Sequence, residues 1–145
     1  MSAFVDSSAL VKLYADEPGH EVVRAVPTAV VAQTARFEVV AAIWAKHRMG
    51  ELSRVDAAVL AAAFEADYHG TATDPSRFVV VPTTAKVLET AARIVRTRAV
   101  RARDSLWLAA AVLAVSADPE CREFVSYNDQ LRSAAFAEGF TLVPD

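Results

Sequence analysis

The chain has 145 residues, of which 54% are hydrophobic and 23% are charged, and its formal net charge is -3. It is long enough to bury a substantial core, and its charge excludes a uniformly basic surface of the kind that binds nucleic acids non-specifically. The longest apolar run, residues 106–115, has only about half of the ~20 residues that a membrane span needs, so it predicts a buried helix.

Five short, β-rich apolar runs predict strands. Each run is continuously apolar rather than alternating, which is typical of strands that are covered on both faces in a parallel sheet. Gly139 is placed to end the helix before the last run. The predicted strands are residues 3–5, 28–32, 78–81, 123–127 and 140–143.

Segments with apolar residues at helical spacing separate the predicted strands. Gly50 ends the first long helix, Ser53 caps the second, and Leu88 and Val95 are expected on the buried face of the third. Strands that alternate with helices predict a three-layer α/β/α sandwich with a mostly parallel sheet of about five strands, in a single domain over 1–145. Ligands of such sheets bind beyond the carboxyl ends of the strands, where the strand order reverses. The predicted helices are residues 34–49, 53–68, 84–98, 104–115 and 128–138.

Carboxylate and amide side chains stand at several junctions between these elements. Asp6 directly follows the first strand, and Asp104 opens the apolar helix 104–115. Asn128 and Asp129 follow the fourth strand. Taken singly, each is explained as a helix cap or a first-turn acid, because free N–H groups and the helix dipole stabilise such side chains there.

Glu38 is harder to explain by local structure, because it lies in a helix that is apolar on most sides. A glutamate is rarely buried without a partner. Glu38 therefore faces water at the rim of the core, pairs with Arg36 or Arg103, or belongs to a functional site. The sequence leaves these possibilities open.

These oxygen-bearing side chains converge on one crevice if the sheet is wound as predicted, whereas independent helix caps need not converge. Crowded carboxylates repel and raise one another's pKa, so such a cluster is tolerated chiefly around a cation. The ligands are oxygens and none of the three histidines is near them in sequence, which favours Mg²⁺ or Mn²⁺ over zinc. The candidate metal ligands are Asp6, Glu38, Asp104, Asn128 and Asp129.

A basic segment contrasts with the acidic net charge. Residues 93–103 contain five arginines and no acid, so the average charge hides a local positive surface. Arg93 and Arg96 are equally well explained as the solvated face of their helix. Arg101 and Arg103, which are closer to the acids, are the better candidates for contacts with phosphate.

Two features bear on the cellular compartment. The N-terminus lacks a basic region followed by an apolar stretch and a cleavage site, and Asp6 interrupts it early, so no secretory signal is expected. Cys121 is the single cysteine, which excludes an internal disulfide and a thiolate metal cluster. We therefore expect a cytoplasmic protein with no membrane partner.

Four stretches together resemble the PIN domain, and in particular the VapC type of bacterial toxin ribonuclease. Each motif is short, but their order, spacing and placement are specific in combination, and they span nearly the whole chain. The stretches are FVDSSALVKLY, ARFEVVAAI, RARDSLWLAAA and FVSYNDQLRSAAFAEGFTLV, which begin at Phe4, Ala35, Arg101 and Phe124.

The resemblance implies a Mg²⁺- or Mn²⁺-dependent endoribonuclease, usually a homodimer, that is the toxin of a toxin–antitoxin pair and is inhibited by its cognate antitoxin. Asp6, Glu38 and Asp104 match the three acids of the family's metal site. The family commonly has an aspartate three residues before the leucine that matches Leu131. This chain has Asn128 at that place, and Asp129 follows one residue later.

Further residues are implied to support the site. Ser8 and Ser126 match positions where the family keeps hydroxyl groups near the metal, so we expect them to orient its ligands. Trp44 and Trp107 either belong to the core or offer a surface to an amphipathic antitoxin helix. The arginines expected to contact RNA are Arg101, Arg103 and Arg36.

The alternative is a catalytically weak PIN scaffold that binds RNA or a protein partner. Asn128 motivates it, because an amide supplies an oxygen ligand without a charge, whereas the retained three acids favour the enzyme. A receiver or a phosphatase on a similar sheet is disfavoured. Ser8 stands where a dehalogenase-type phosphatase has its second aspartate, and the strand 78–81 carries no acid.

Overall fold

The computed structural model describes residues 1–145, and its five strands fall within the runs predicted from the sequence or begin one residue before them. All neighbouring strands pair in parallel, in the spatial order β3-β2-β1-β4-β5. The predicted α/β sandwich with a five-stranded parallel sheet is therefore confirmed. The strands are Ser2–Val5 (β1), Thr28–Ala32 (β2), Val79–Val81 (β3), Glu123–Val125 (β4) and Thr141–Val143 (β5).

Seven helices accompany the sheet, and the five long ones match the predicted segments. The short helix α2 was not predicted, because five residues give too little periodicity to be recognised. None of the helices combines the length and the apolar character that crossing a membrane requires. The helices are Ser7–Leu10 (α1), His20–Arg24 (α2), Ala35–Arg48 (α3), Arg54–His69 (α4), Ala85–Thr97 (α5), Ala102–Ala117 (α6) and Asp129–Ala137 (α7).

Helix boundaries differ from the prediction at two places that matter for the site. Helix α6 begins at Ala102, so Asp104 lies inside its first turn instead of opening the helix. Helix α7 begins at Asp129, one residue after its predicted start, and Asn128 is its N-cap, which is one of the roles that the sequence suggested for this residue. Strand β4 accordingly ends at Val125, before the predicted end at residue 127.

One face of α5 is less buried than predicted. Val87, Ala91 and Ile94 are buried, but Leu88 and Val95, which were expected beside them, are 53% and 45% exposed. The stripe that α5 presents to the core is therefore narrower than the apolar pattern indicated. Leu88 and Val95 lie seven residues apart and form an exposed apolar strip along this helix.

Aromatic packing in the core fixes the strand ends that lead into the site. The Phe4 ring of β1 stacks on Phe124 of β4 at a centroid distance of 5.5 Å and meets the Trp107 ring of α6 edge-on at 6.0 Å. Such pairs contribute roughly 0.5–1.5 kcal/mol each beyond the burial of their apolar area. Phe4 and Phe124 each lie two residues before a polar residue of the site, Asp6 and Ser126 respectively, so this packing holds both polar side chains in place.

Candidate active site

The candidate site lies where the order of the strands reverses. Strands β2 and β3 lie on one side of the central strand β1, and β4 and β5 lie on the other. The ends of β1 and β4 are adjacent, because the Asp6 N–H donates to the Val125 carbonyl at 3.1 Å. A cleft of about 270 Å³ opens beyond these ends, as expected for a parallel sheet. We call it the acidic cleft, because the side chains that line it include Asp6, Glu38 and Asp104.

Asp6 is both the N-cap of α1 and a member of the acidic cleft. Its Oδ1 accepts from the Ala9 N–H at 3.0 Å and from the Ser8 hydroxyl at 2.7 Å, and its Oδ2 accepts from the Ser126 hydroxyl at 2.5 Å. The residue is only 2% exposed. Burial raises the pKa of Asp6 to about 6, the hydrogen bonds oppose that rise, and the nearby charge of Asp104 adds to it.

Ser8 and Ser126 connect Asp6 to the segment that follows β4. The Ser8 hydroxyl, which donates to Asp6, accepts from the Tyr127 N–H at 3.0 Å. The Ser126 hydroxyl also donates to Asp6 and accepts from the Asn128 N–H at 3.1 Å. Both hydroxyl groups are thereby fixed in direction, and they hold the Asp6 carboxylate against the end of β4.

Tyr127 holds the outer side of this segment. Its hydroxyl donates to the Gly19 carbonyl at 3.1 Å, and the Lys12 ammonium lies 4.4 Å from the centre of its ring. Gly19 has a φ of +90°, and a Cβ atom there would lie 2.6 Å from the Tyr127 hydroxyl oxygen. Glycine is therefore required both by the backbone conformation and by the close approach of the ring.

Glu38 is almost fully buried, and two donors compensate its charge. The Trp107 indole N–H donates to Oε2 at 2.5 Å, and the Arg103 Nε lies 3.3 Å from Oε1. Burial raises the pKa of Glu38, whereas the contacts with Trp107 and Arg103 lower it. Of the partners considered from the sequence, Arg103 is the one that pairs with Glu38. Arg36 instead pairs with Glu65 at 3.5 Å.

Asp104 faces Asn128 across the acidic cleft. The Asn128 Nδ2 group donates to Asp104 Oδ2 at 3.3 Å, while Asn128 Oδ1 accepts from the Leu131 N–H at 3.1 Å. These two contacts fix the orientation of the amide. The Asn128 oxygen is used to cap α7, so the group that faces the acids is the amide nitrogen. Arg101 Nε lies 3.7 Å from Asp104 Oδ2.

Of the other predicted site residues, some lie in or beside the acidic cleft and others lie outside it. Asp129 is exposed in the first turn of α7 and does not line the acidic cleft. Arg103 lines the cleft, Arg101 stands beside Asp104, and both side chains are more than 60% exposed. Arg36 lies outside the cleft, where it pairs as described above.

Of the three other arginines in the basic segment, two form ion pairs and one does not. Arg93 and Arg98 both bind the Glu138 carboxylate, at 2.9 and 2.6 Å. They lower the pKa of Glu138 and connect α5 to the end of α7. Arg96 is exposed and forms no ion pair. The arginines that face the acids are therefore Arg101 and Arg103.

Two residues of the acidic cleft were not predicted as contributors. Trp107 donates to Glu38, and its spacing of three residues from Asp104, which puts both on one side of a helix, is the signal that could have identified it. Phe37 lines the cleft although it is 60% exposed. No sequence pattern indicated that Phe37 lies in the cleft, because nothing in the sequence distinguishes it from the other apolar residues of α3.

The donor chemistry of the acidic cleft fits a hard divalent cation. Carboxylate oxygens are the ligands that Mg²⁺ and Mn²⁺ prefer, and the charges of Asp6 and Asp104 are close enough to act on each other. As the side chains stand, no three acids, histidines or cysteines are placed to hold a metal ion together. Each carboxylate is turned towards protein donors, so joint ligation by three acids requires the side chains to turn into the cleft.

The comparison with known families identifies the class of this fold and site. The PIN domain family matches residues 3–137, which is nearly the whole chain. The chain belongs to the PIN domain family. PIN domains are generally metal-dependent nucleases, and in this PIN domain three acids from the end of β1, from α3 and from α6 line one cleft. No curated protein matches the chain closely enough to count as a relative.

Asp6 makes the stability of the metal-free PIN domain depend on pH. Its pKa of about 6 lies above its ordinary value of 3.8, so the folded protein binds this proton more readily than the unfolded chain does. The charged carboxylate therefore disfavours folding above its folded-state pKa, and this cost disappears as the pH falls from about 6 towards 4. Its size is at most about 3 kcal/mol, because one pKa unit corresponds to ~1.4 kcal/mol.

Urea unfolding at a series of pH values in EDTA measures this effect. The free energy of unfolding of the wild type, relative to Asp6→Asn, is expected to increase as the pH falls through this window. The comparison with Asp6→Asn removes the contributions of the other acids, such as Glu17 and Glu138, whose pKa values are lowered by their cationic partners. Identical pH profiles for the two proteins would contradict the prediction.

Proposed function

We propose that this PIN domain is a Mg²⁺- or Mn²⁺-dependent endoribonuclease that acts as a VapC-type toxin, with residues 1–145 working as a single domain. The observation that carries the proposal is the convergence of Asp6, Glu38 and Asp104 on one cleft at the reversal point of a parallel sheet. A bound divalent cation supplies positive charge to a phosphodiester and makes water a stronger nucleophile.

The residues of the chain have separate roles in this proposal. Asp6 and Asp104 hold the cation, and Ser8 and Ser126 keep the Asp6 carboxylate in place through their hydroxyl groups. Glu38 is a further ligand or accepts the proton of the attacking water. Burial raises the pKa of Glu38, which makes the carboxylate a better proton acceptor near neutral pH.

Cleavage of bulk RNA tests the nuclease proposal. We expect the purified protein to degrade RNA in Mn²⁺ or Mg²⁺ and to stop when EDTA is added. An Asp6→Asn preparation made in the same way controls for contaminating nuclease. Cleavage that continues in EDTA, or that is equal in the two preparations, would contradict a metal-dependent activity in this cleft.

Arg101 and Arg103 are proposed to attract the RNA backbone. Replacing both by glutamine is expected to weaken RNA binding and to flatten its salt dependence, because each phosphate of a single strand that the protein no longer neutralises lowers the slope of log K against log salt by about 0.7. Filter binding at several salt concentrations measures the slope. The double variant of Arg96 and Arg122, which are exposed and do not line the cleft, is the matched control.

Equal slopes in the two double variants would show that Arg101 and Arg103 only neutralise the acids of the cleft. Neutralising the acids is a separate role that the ion pairs support, since Arg103 lies 3.3 Å from a Glu38 oxygen and Arg101 lies 3.7 Å from an Asp104 oxygen. A reduced slope in the Arg101 and Arg103 variant alone supports a phosphate contact.

The toxin role adds a cognate antitoxin and a homodimer to the proposal. A groove of about 620 Å³ between residues 14–18 and the α3–α4 pair is the surface that we propose for the antitoxin, and its lining mixes acids with Leu52, Val59 and Leu60. Trp107 is buried and is not available to a partner. The exposed strip of Leu88 and Val95 is the apolar surface on which we base the proposed dimer.

Expression in a bacterial host tests the toxin role. We expect the wild type to arrest growth and Asp6→Asn to leave growth unchanged. The protein encoded beside the toxin should restore growth when both are expressed together. Sequencing the cleaved ends of cellular RNA after brief expression identifies the target, whether it is tRNA, rRNA or mRNA.

A second candidate function is a PIN scaffold that binds RNA or a protein partner without efficient catalysis. It is favoured by Asn128, whose amide oxygen already accepts from the Leu131 N–H and adds no negative charge to the cleft. RNA binding that persists without any metal-dependent cleavage would support this second function.

A further inference from the structure

Phe37 is a large apolar side chain that the fold leaves in the acidic cleft. It is 60% exposed and lines the cleft next to Glu38 and Arg103. Val39 and Ile43, on the opposite side of α3, are fully buried. Burying a phenylalanine side chain stabilises a fold, and at this position most of that stabilisation is not realised.

The helix position one turn after Phe37 carries only a small side chain. Ala41, which lies one turn after Phe37 on α3, also lines the cleft, is exposed and has the smallest side chain that keeps a helix regular. Arg36, the preceding residue, is turned away to Glu65. A flat group can therefore lie against the ring while it remains within the cleft.

The positive charges in and beside the cleft identify the kind of group. Arg103 and Arg101 have side chains that are 63% and 72% exposed, and they stand next to the acids. Guanidinium groups bind phosphate, and an aromatic ring stacks on a nucleobase, so the two together suit a nucleotide better than a lipid or an aliphatic chain. A base inside a duplex is already stacked on its neighbours and does not expose its face.

We propose that Phe37 stacks on a nucleobase of the RNA next to the cleaved phosphodiester. This inference rests on the proposed nuclease function and adds to it a residue that positions the substrate. Stacking holds the neighbouring backbone against the acids. Phe37 is therefore a substrate-binding residue, and its loss acts on KM more than on kcat.

Binding of a single-stranded RNA oligonucleotide tests the inference. The measurement uses the Asp104→Asn protein, so that the RNA stays intact. Adding Phe37→Ala is expected to raise Kd by about 5- to 150-fold, the range that corresponds to the loss of one base–aromatic stack. Phe37→Trp is expected to retain the affinity, and Phe37→Leu, which keeps an apolar side chain without a ring, is expected to lose it.

The chain offers a matched control. Phe136 on α7 is 70% exposed and does not line the acidic cleft, so Phe136→Ala removes an equally exposed ring and is expected to leave Kd unchanged. An RNA with abasic nucleotides in place of its bases should bind the Phe37 protein more weakly and should abolish the difference caused by Phe37→Ala. Neither alanine variant should change the melting temperature by more than a few degrees, because both rings are exposed.

The outcomes separate the two proposals. If the Asp104→Asn protein binds RNA and Phe37→Ala leaves Kd unchanged, the stacking proposal is overturned and the nuclease proposal stands. A Phe37→Ala variant that keeps its affinity for RNA but loses a protein partner would likewise overturn the stacking proposal and leave the nuclease proposal standing. If neither the wild type nor Asp104→Asn binds or cleaves RNA, both proposals are overturned.

Discussion

Replacing Asp104 by asparagine is expected to reduce metal-dependent RNA cleavage by at least about 10³-fold while the protein stays folded. A cation that stabilises transition-state charge contributes several kcal/mol, and about 4 kcal/mol corresponds to this factor. Asp104 gives the cleanest test among the acids, because the only hydrogen bond that its carboxylate accepts is a 3.3 Å contact with Asn128. Asp6, in contrast, accepts three hydrogen bonds that also cap α1.

Rates and melting temperatures must be measured together for this variant. Removing the Asp104 charge also removes a repulsion that raises the pKa of Asp6, so the metal-free Asp104→Asn protein is expected to melt no more than a few degrees below the wild type. Asp129→Asn is the matched control, since it neutralises an exposed acid outside the cleft. An Asp104→Asn protein that cleaves RNA at the wild-type rate would contradict the assignment of the cleft.

Replacing Asn128 by aspartate is expected to change metal affinity and stability in opposite directions. The new carboxylate would stand where an amide nitrogen now lies 3.3 Å from an Asp104 oxygen. Two like charges about 4 Å apart repel by up to about 4 kcal/mol at the effective dielectric constant of a protein surface, so the metal-free protein should lose stability. A cation placed between them removes this repulsion, so less Mn²⁺ should be needed for half-maximal cleavage.

The design of this test separates repulsion from loss of the helix cap. Aspartate caps helices about as well as asparagine, so the contact with the Leu131 N–H is retained. Gln130→Glu adds the same charge to an exposed position of α7 that does not line the cleft, and it should change neither property. Thermal melts with and without Mn²⁺, together with Mn²⁺ titrations of RNA cleavage, measure both effects. Equal Mn²⁺ requirements in the wild type and Asn128→Asp would refute the prediction.

The strands and their parallel arrangement could be predicted because the strong signals were local. Five continuously apolar runs and the helical spacing between them indicated a parallel sheet, and the sheet has that form. Ser53 was predicted as a cap, and its hydroxyl accepts from the Asp56 N–H at 3.0 Å. Leu88 and Val95 were misplaced because an apolar pattern gives the direction of a buried face but not its width.

The contacts within the site could not be predicted, because they depend on tertiary structure. The pairing of Glu38 with Arg103 joins residues from α3 and α6, and the choice between Arg103 and Arg36 depends on how these helices pack. The capping role of Asn128 could be predicted, but the contact of its amide nitrogen with Asp104 depends on how α7 packs beside α6. The position of Phe37 in the cleft likewise depends on the rotation of α3, which periodicity does not determine.

Calorimetric titration of Mn²⁺ into the metal-free protein tests most directly whether the acidic cleft is a metal-dependent catalytic centre. We predict saturable binding to the wild type and to Asp129→Asn, and strongly reduced binding to Asp6→Asn and Asp104→Asn. The bound ion should also stabilise the wild type, by about 2.7 kcal/mol at a Mn²⁺ concentration ~100 times Kd. Absence of binding to the wild type, or equal binding to all four proteins, would contradict the proposed metal site.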